Sequence, residues 1–237
     1  MSDLKLKICG MKQPENILEV AALKPDYLGF IFYEKSSRNF SGEIPEIDPA
    51  INKTGVFVDA GIKFILEKLR KYNFEAIQLH GKESADYCKK LRAALDQNNS
   101  VEIIKVFSVK ESFNFEELKP YEGIVDFFLF DTQGKNKGGN GITFNWELLK
   151  KYPSSTPFFL SGGIGLNEVL KIEEFNAHLE KLGKSHLFNG LDVNSKFEIE
   201  AGLKDPQKLK LFNLYIRFSS YSCFVTLNLF QGLYLLY

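Results

Sequence analysis

The sequence predicts an α/β fold, a single-domain (β/α)8 barrel. Three observations carry that prediction. Short apolar runs recur about every 25 residues, amphipathic stretches with helical periodicity lie between them, and the chain has 237 residues, close to the ~250 typical of this TIM-barrel architecture. The apolar runs are residues 4–9, 27–32, 54–58, 76–79, 101–107, 125–130, 157–160 and 187–193. Each reads as a strand buried on both faces, as a parallel sheet covered by helices requires. The amphipathic stretches 13–23, 62–72, 84–95, 146–152 and 166–175 place apolar residues at i, i+3 and i+4 and read as helices. A last helix is expected from Asp205 to about Tyr215. An open doubly wound sheet shares this pattern, because periodicity alone does not close a sheet; the strand count and length favour the barrel.

Thirty basic and thirty acidic side chains give no net charge, so no field for nucleic acid or anionic membranes is implied. With 44% hydrophobic and 25% charged residues, disorder, collagen and coiled coil are excluded. Cys9, Cys88 and Cys223 cannot make a disulfide framework, which fits a reducing, cytoplasmic setting. No cysteine pair has C-x-x-C spacing, and His80, His178 and His186 are far apart in sequence, so no metal is expected. The start, MSDLKLKICGM, lacks the apolar core of a secretory signal. The glycine clusters SGGIGLNEV and GKNKGGNG lack the third glycine of G-x-G-x-x-G and the Lys-Ser/Thr ending of a P-loop, so neither NAD nor ATP is supported and no cofactor is expected. The Gly-rich stretch 134–141 is longer than a bare turn and reads as a lid loop.

In a barrel of this kind the active site forms at the carboxyl ends of the strands, so the residues just after each apolar run are the candidates. They include Cys9-Gly10, Ser36-Ser37-Arg38, Asp59, His80-Gly81, Asp131, Ser161-Gly162-Gly163, and Asp192, Asn194 and Ser195. Glycines after strand seven let backbone N–H groups approach an anion, and a following helix start adds partial positive charge. That loop therefore reads as a phosphate cradle, with a plain strand-to-helix turn as the alternative. Asn194 and Ser195 in the next loop move the balance toward phosphate. A thiolate at Cys9 and a carboxylic acid at Asp131 would form a cofactor-free acid/base pair across the mouth. A small buried hydrophobe is the competing reading of Cys9. Arg38 has the guanidinium geometry to hold a carboxylate, or is a solvated loop charge. Asp59 and His80 read as loop hydrogen-bonding groups.

At these residues the chain resembles the phosphoribosylanthranilate isomerase family, cofactor-free barrels of tryptophan biosynthesis. The matching segments are KICGM (7–11), LGFIFYEKSSRNF (28–40), GVFVD (55–59), QLHG (78–81), LFDTQGKNKGGNGITFNW (129–146), LSGGI (160–164) and GLDVNSKFE (190–198). The resemblance implies Cys9 as general base, Asp131 as general acid and Arg38 on the anthranilate carboxylate. It implies Gly162 and Gly163 at the phosphate, with Asn194 and Ser195 in the corresponding loop after strand eight. Two segments depart from the family pattern. Asn194-Ser195-Lys196-Phe197-Glu198 stands where Ser-Ser-Gly-Val-Glu is commoner, and Gly138-Gly139-Asn140-Gly141 where Gly-Gly-Thr-Gly is commoner. The implied reaction is an Amadori rearrangement of an aminoaldose phosphate. It needs a protonated acid and an ionised base together, so burial is expected to raise the pKa of Asp131, and neighbouring cations to lower that of Cys9.

The related isomerase of histidine biosynthesis uses an aspartate at the end of strand one, so Cys9 argues against that substrate and for the carboxylate-bearing one that Arg38 suits. A non-catalytic, tail-tethered sugar-phosphate binding protein is the rival of another class. Its motive is the stretch 218–237, which holds none of the chain's charged residues and six of its aromatic ones. The barrel is expected to occupy residues 1–217. The tail reads first as an unrelated extension, second as a packing or oligomer-contact segment and third as a membrane anchor, since Asn228, Gln231 and Gly232 interrupt it.

Overall fold

A computed structural model describes residues 4–95, 101–132 and 146–218. The Gly-rich loop at 134–141, Cys223 and the tail beyond Phe218 lie outside the described residues. Eight strands form a closed barrel in sequence order: β1 (Lys5–Cys9), β2 (Tyr27–Phe32), β3 (Asn52–Phe57), β4 (Ala76–Leu79), β5 (Glu102–Val109), β6 (Phe127–Thr132), β7 (Phe158–Leu160) and β8 (Phe188–Val193). Every neighbouring pair is parallel, and β8 returns to β1 with Lys5 opposite Gly190 and Ile8 opposite Val193. The sheet is therefore closed, not open. A two-stranded antiparallel ribbon, β9 (Glu198–Glu200) and β10 (Leu203–Lys204), follows β8 and was not expected from the sequence.

Five α-helices cover the outside: α1 (Pro14–Ala21), α2 (Ile62–Tyr72), α3 (Ala85–Ala94), α4 (Val169–Lys181) and α5 (Pro206–Phe218). Their ends follow local chemistry. Pro14 opens α1 with its ring-fixed φ, the Ser84 hydroxyl accepts from the Tyr87 amide at the start of α3, and Asn73 ends α2 in the left-handed region at φ 50°. The helix expected at 146–152 is instead a 3-10 helix, Trp146–Lys151. The helix expected at 166–175 starts as a 3-10 turn, Leu166–Glu168, and continues as α4 six residues past its expected end. Between β5 and β6 there are only the 3-10 turns Phe115–Glu117 and Lys119–Tyr121, since Pro120 cannot sit inside a longer helix. No described helix is long and apolar enough to cross a membrane.

Side chains alternate across each strand and so divide the core into two layers. Leu6, Ile8, Leu28, Phe30, Phe57, Ile77, Phe128 and Phe158 point outward to the helices and form one large cluster. Tyr27, Ala76, Ile104, Val106, Leu129 and Phe159 point inward and form a small separate one. The strands are buried on both faces as expected, but they are not apolar throughout. Lys7, Thr54, Gln78 and Asp192 are buried too, at positions sharing the inward alternation. Below them the Tyr27 hydroxyl donates to Glu102 at 2.9 Å and lies 3.4 Å from Lys5 Nζ, so the amino end of the barrel is plugged by a polar cluster.

Phe158 sits in an aromatic cluster of the outer layer, with ring centroids 5.0 Å from Tyr152, 5.5 Å from Phe130 and 5.7 Å from Phe188. It is fully buried. Phe158→Ala is expected to destabilise the fold by about 3–5 kcal/mol, through lost transfer energy and the cavity left behind. Urea denaturation checks this; a loss below about 1 kcal/mol would mean the outer layer collapses around the gap.

Candidate active site

Cys9 ends β1, and its thiol lies in a polar nest at the carboxyl end of the barrel. The nest exists because β2 carries glycine opposite it. A Cβ on Gly29 would lie 2.8 Å from Cys9 Sγ, closer than real Cβ contacts come, and a tight 3.2 Å from Lys7 Nζ. Lys7 Nζ, fully buried, is 2.6 Å from Asp192 Oδ1, and Ser161 Oγ donates to Asp192 Oδ2 at 3.0 Å. Strands one and eight and the end of strand seven thus meet in one bonded chain of groups. Lys7 also acts on the thiol by its charge.

Burial pushes the Cys9 thiol above its ordinary range. Lys7 and Lys204 pull it down, Asp192 pushes it up, and desolvation prevails. This corrects the expectation of a lowered thiol: the cations are present, but the sulfur is buried more deeply than they compensate. Lys7 itself is raised, because Asp192 and Cys9 together outweigh the burial that opposes its charge.

Asp131 lies on β6 and is partly buried, its side chain 18% exposed. His80 Nε2 stands 3.4 Å from Asp131 Oδ2. Gln78 Nε2 lies 3.1 Å from His80 Nδ1. Asp59 remains a loop residue: its carboxylate accepts from the Lys82 amide at 2.5 Å.

Arg38 lies in the loop after β2 and already holds a carboxylate. Its Nε is 2.8 and 3.1 Å from the two oxygens of Glu198, and its Nη2 is 2.6 Å from Oε2. Lys204 Nζ is fully buried and donates to Glu198 Oε1 at 2.7 Å and to Asn194 Oδ1 at 2.5 Å. Although burial opposes its charge, Arg38 and Lys204 hold the Glu198 carboxyl below the usual carboxylate range. Burial lowers the pKa of Lys204 in turn. Asn194 also approaches Gly10, whose missing Cβ would lie 2.8 Å from Asn194 Oδ1 and 2.9 Å from Arg38 Cδ. The structure therefore brings Cys9, Gly10, Arg38 and Asn194 together on one side of the mouth.

The loop after β7 has the backbone a glycine pair allows: φ is +87° at Gly162 and +70° at Gly163. A Cβ on Gly162 would lie 2.3 Å from Thr132 Oγ1, so this loop packs directly on β6. Gly165 abuts Lys196, and Ser195 opens a 3-10 turn, Ser195–Phe197, so the loops after β7 and β8 adjoin. Sequence reasoning passed over Lys7, Glu198 and Lys204 and gave Asp192 no role. Lys7 had a readable signal, since Leu4, Leu6 and Ile8 alternate with Lys5 and Lys7.

Comparison with known proteins points the same way. The family model for N-(5'-phosphoribosyl)anthranilate isomerase matches residues 6–213. The chain is 42% identical to the N-(5'-phosphoribosyl)anthranilate isomerase of Parabacteroides distasonis, over 87% of this chain and 90% of that one. It is 37% identical to that of Phocaeicola vulgatus, over 87% and 95%. Among solved structures, the phosphoribosyl anthranilate isomerase of Thermotoga maritima superposes with a TM-score of 0.69 at 28% identity, covering 90% of this chain and 98% of that one. A phosphoribosyl anthranilate isomerase in complex with reduced 1-(o-carboxyphenylamino)-1-deoxyribulose 5-phosphate matches with a TM-score of 0.67 at 25% identity, over 90% and 97%. With the model spanning nearly the whole barrel and relatives this similar, the chain belongs to the N-(5'-phosphoribosyl)anthranilate isomerase family.

Proposed function

We propose that this chain isomerises N-(5'-phosphoribosyl)anthranilate to 1-(2-carboxyphenylamino)-1-deoxyribulose 5-phosphate, with Cys9 as general base and Asp131 as general acid. The observation that carries the reading is a thiol on β1 and a carboxyl on β6 at one barrel mouth, with an arginine on one side and a positive-φ glycine pair on another. A substrate with a carboxylate at one end and a phosphate at the other suits that layout. Asp131 gives its proton to the ribose ring oxygen, and the C1'–O bond breaks to leave an iminium at C1'. The Cys9 thiolate takes the C2' proton, the C2'–H electrons form the enolamine double bond, and the iminium nitrogen is neutralised. Tautomerisation of the enolamine then gives the ketone. No electrons leave the molecule, so the reaction needs no redox partner.

The phosphate goes to the loops carrying Gly162, Gly163, Asn194 and Ser195, where its binding energy positions the reacting carbon. The substrate carboxylate meets the guanidinium edge of Arg38 that Glu198 leaves open. Two free, buried cysteines among the described residues fit a reducing cytoplasm. We assign the catalytic unit to residues 1–217 and treat 218–237 as an appendage.

Consumption of N-(5'-phosphoribosyl)anthranilate, followed by its fluorescence, is the direct test. Cys9→Ala and Asp131→Asn are each expected to lower kcat by roughly 10²–10⁴-fold; unchanged turnover in both would sink the assigned roles. Because the free thiol is pushed up, kcat/KM should climb with pH from neutral toward alkaline as Cys9 ionises. A flat profile from about pH 5 to 9 would count against a thiolate base. Arg38→Ala should raise KM for the anthranilate substrate and leave an analogue without the carboxylate unaffected; equal losses for both would assign Arg38 to the fold alone. Truncation after Phe218 keeps α5 whole and should leave kcat/KM unchanged, and a truncated chain that cannot turn over would put the tail inside the catalytic unit.

A further inference from the structure

One buried charge pair has no part in the reaction as written: the fully buried Lys7 on β1 and Asp192 on β8, directly beneath the thiol. A lysine with no exposure is costly, and a hydrophobic pair of similar volume would fold as well or better. Its placement is specific. Lys7 Nζ and Cys9 Sγ crowd the same point beside Gly29, so β2 needs a glycine to accommodate both. Asp192 Oδ1 holds the ammonium at 2.6 Å, and Ser161 fixes the other carboxylate oxygen at 3.0 Å. We propose that Lys7 is the counter-ion of the Cys9 thiolate, and that Asp192, by holding its ammonium, sets how much of that positive charge the sulfur feels. Lys7 is thus a positioning residue acting through Cys9, and the proposal rests on the reading of Cys9 as general base.

Other charges reach the thiol from every side. Lys204 on β10 and Arg38 after β2 are positive, Asp192 on β8 is negative, β2 itself contributes only Gly29, and Asp131 on β6 with His80 after β4 stand at the mouth. Lys204 and Arg38 are both tied to Glu198. Of the two lysines, Lys7 acts on the sulfur more strongly. When Cys9 ionises its proton passes to solvent at the mouth, and the proton taken from the substrate carbon restores the thiol.

The two partners act on the sulfur with opposite sign, which separates tuning from scaffolding. The thiol is titrated in the full chain by its ultraviolet thiolate absorbance, as the difference from the same variant carrying Cys9→Ser, so that Cys88 and Cys223 cancel. Lys7→Met should raise the Cys9 pKa by about one unit or more, cutting the thiolate fraction at neutral pH roughly tenfold and moving the kcat/KM profile the same way. Asp192→Asn should lower it. Lys7→Met leaves Asp192 buried and unpaired, so its folding is checked first; the double variant Lys7→Met/Asp192→Asn removes both charges and should raise the pKa, by less than the single change. Movement in the same direction for Asp192→Asn and the double variant, or no movement in either, overturns the proposal. The titration needs no turnover, so it is judged separately from the isomerase assignment, which fails instead if Cys9→Ala leaves activity intact.

Discussion

The structure hinges on the place where its two ends meet. β1 and β8 are the first and last strands of the barrel, and their ladder converts an eight-stranded sheet with two open edges into one with none. The Lys7–Asp192 ion pair spans that seam, joining residues 185 apart in sequence. Such closure is entropically expensive and is made good by the two apolar layers, not by the ion pair. Removing one partner of a buried pair typically costs about 3–5 kcal/mol, whereas replacing both with apolar groups is often neutral. The pair is therefore poor value as a stabiliser, and its position under the thiol gives it a better reason to exist.

A second charged cluster shapes the rim. Glu198, on the short β9–β10 ribbon, is shared by Arg38 and Lys204 and accepts from the Gly202 amide at 3.1 Å. This ribbon reaches from the end of β8 back to the loop after β2, so one carboxylate ties together the anion-facing side of the mouth. Arg38 is held in place before any ligand arrives, and its side chain loses less freedom on binding. The balance of charge over the chain has a local counterpart here: Arg38 and Lys204 share the Glu198 carboxylate.

Much of this was legible in the sequence because a barrel repeats one rule eight times. Every strand lay within or beside its expected apolar run, and Cys9, Arg38, Asp131 and Gly162 each stood at or just beyond a strand end. What escaped was of two kinds. The 3-10 segments near Pro120 and at Trp146–Lys151 replaced expected or omitted helices, because a barrel asks only that a connection cover the strands, not that it be an α-helix. The polar interior escaped because apolar runs were read as uniform, although the alternation through Lys5 and Lys7 marks an inward-facing polar row. Lys204 carried no local signal, and Glu198 stood in a quoted family segment without being given a role.

The misread thiol shows how these two failures combine. Nearby cations were expected to lower the Cys9 pKa, and cations are there, yet the sulfur is raised. Each pKa unit is about 1.4 kcal/mol, so modest differences between desolvation and charge decide the sign. A thiol at the open rim would ionise readily and would also be open to oxidation and stray reaction. Sunk beside Gly29 it is protected, but burial alone would make it useless as a base. The Lys7 ammonium beside it offsets part of that burial, and Asp192 tempers the charge the sulfur feels. On the proposed reading of Cys9 as base, the cation at the seam offsets part of the cost of burying it.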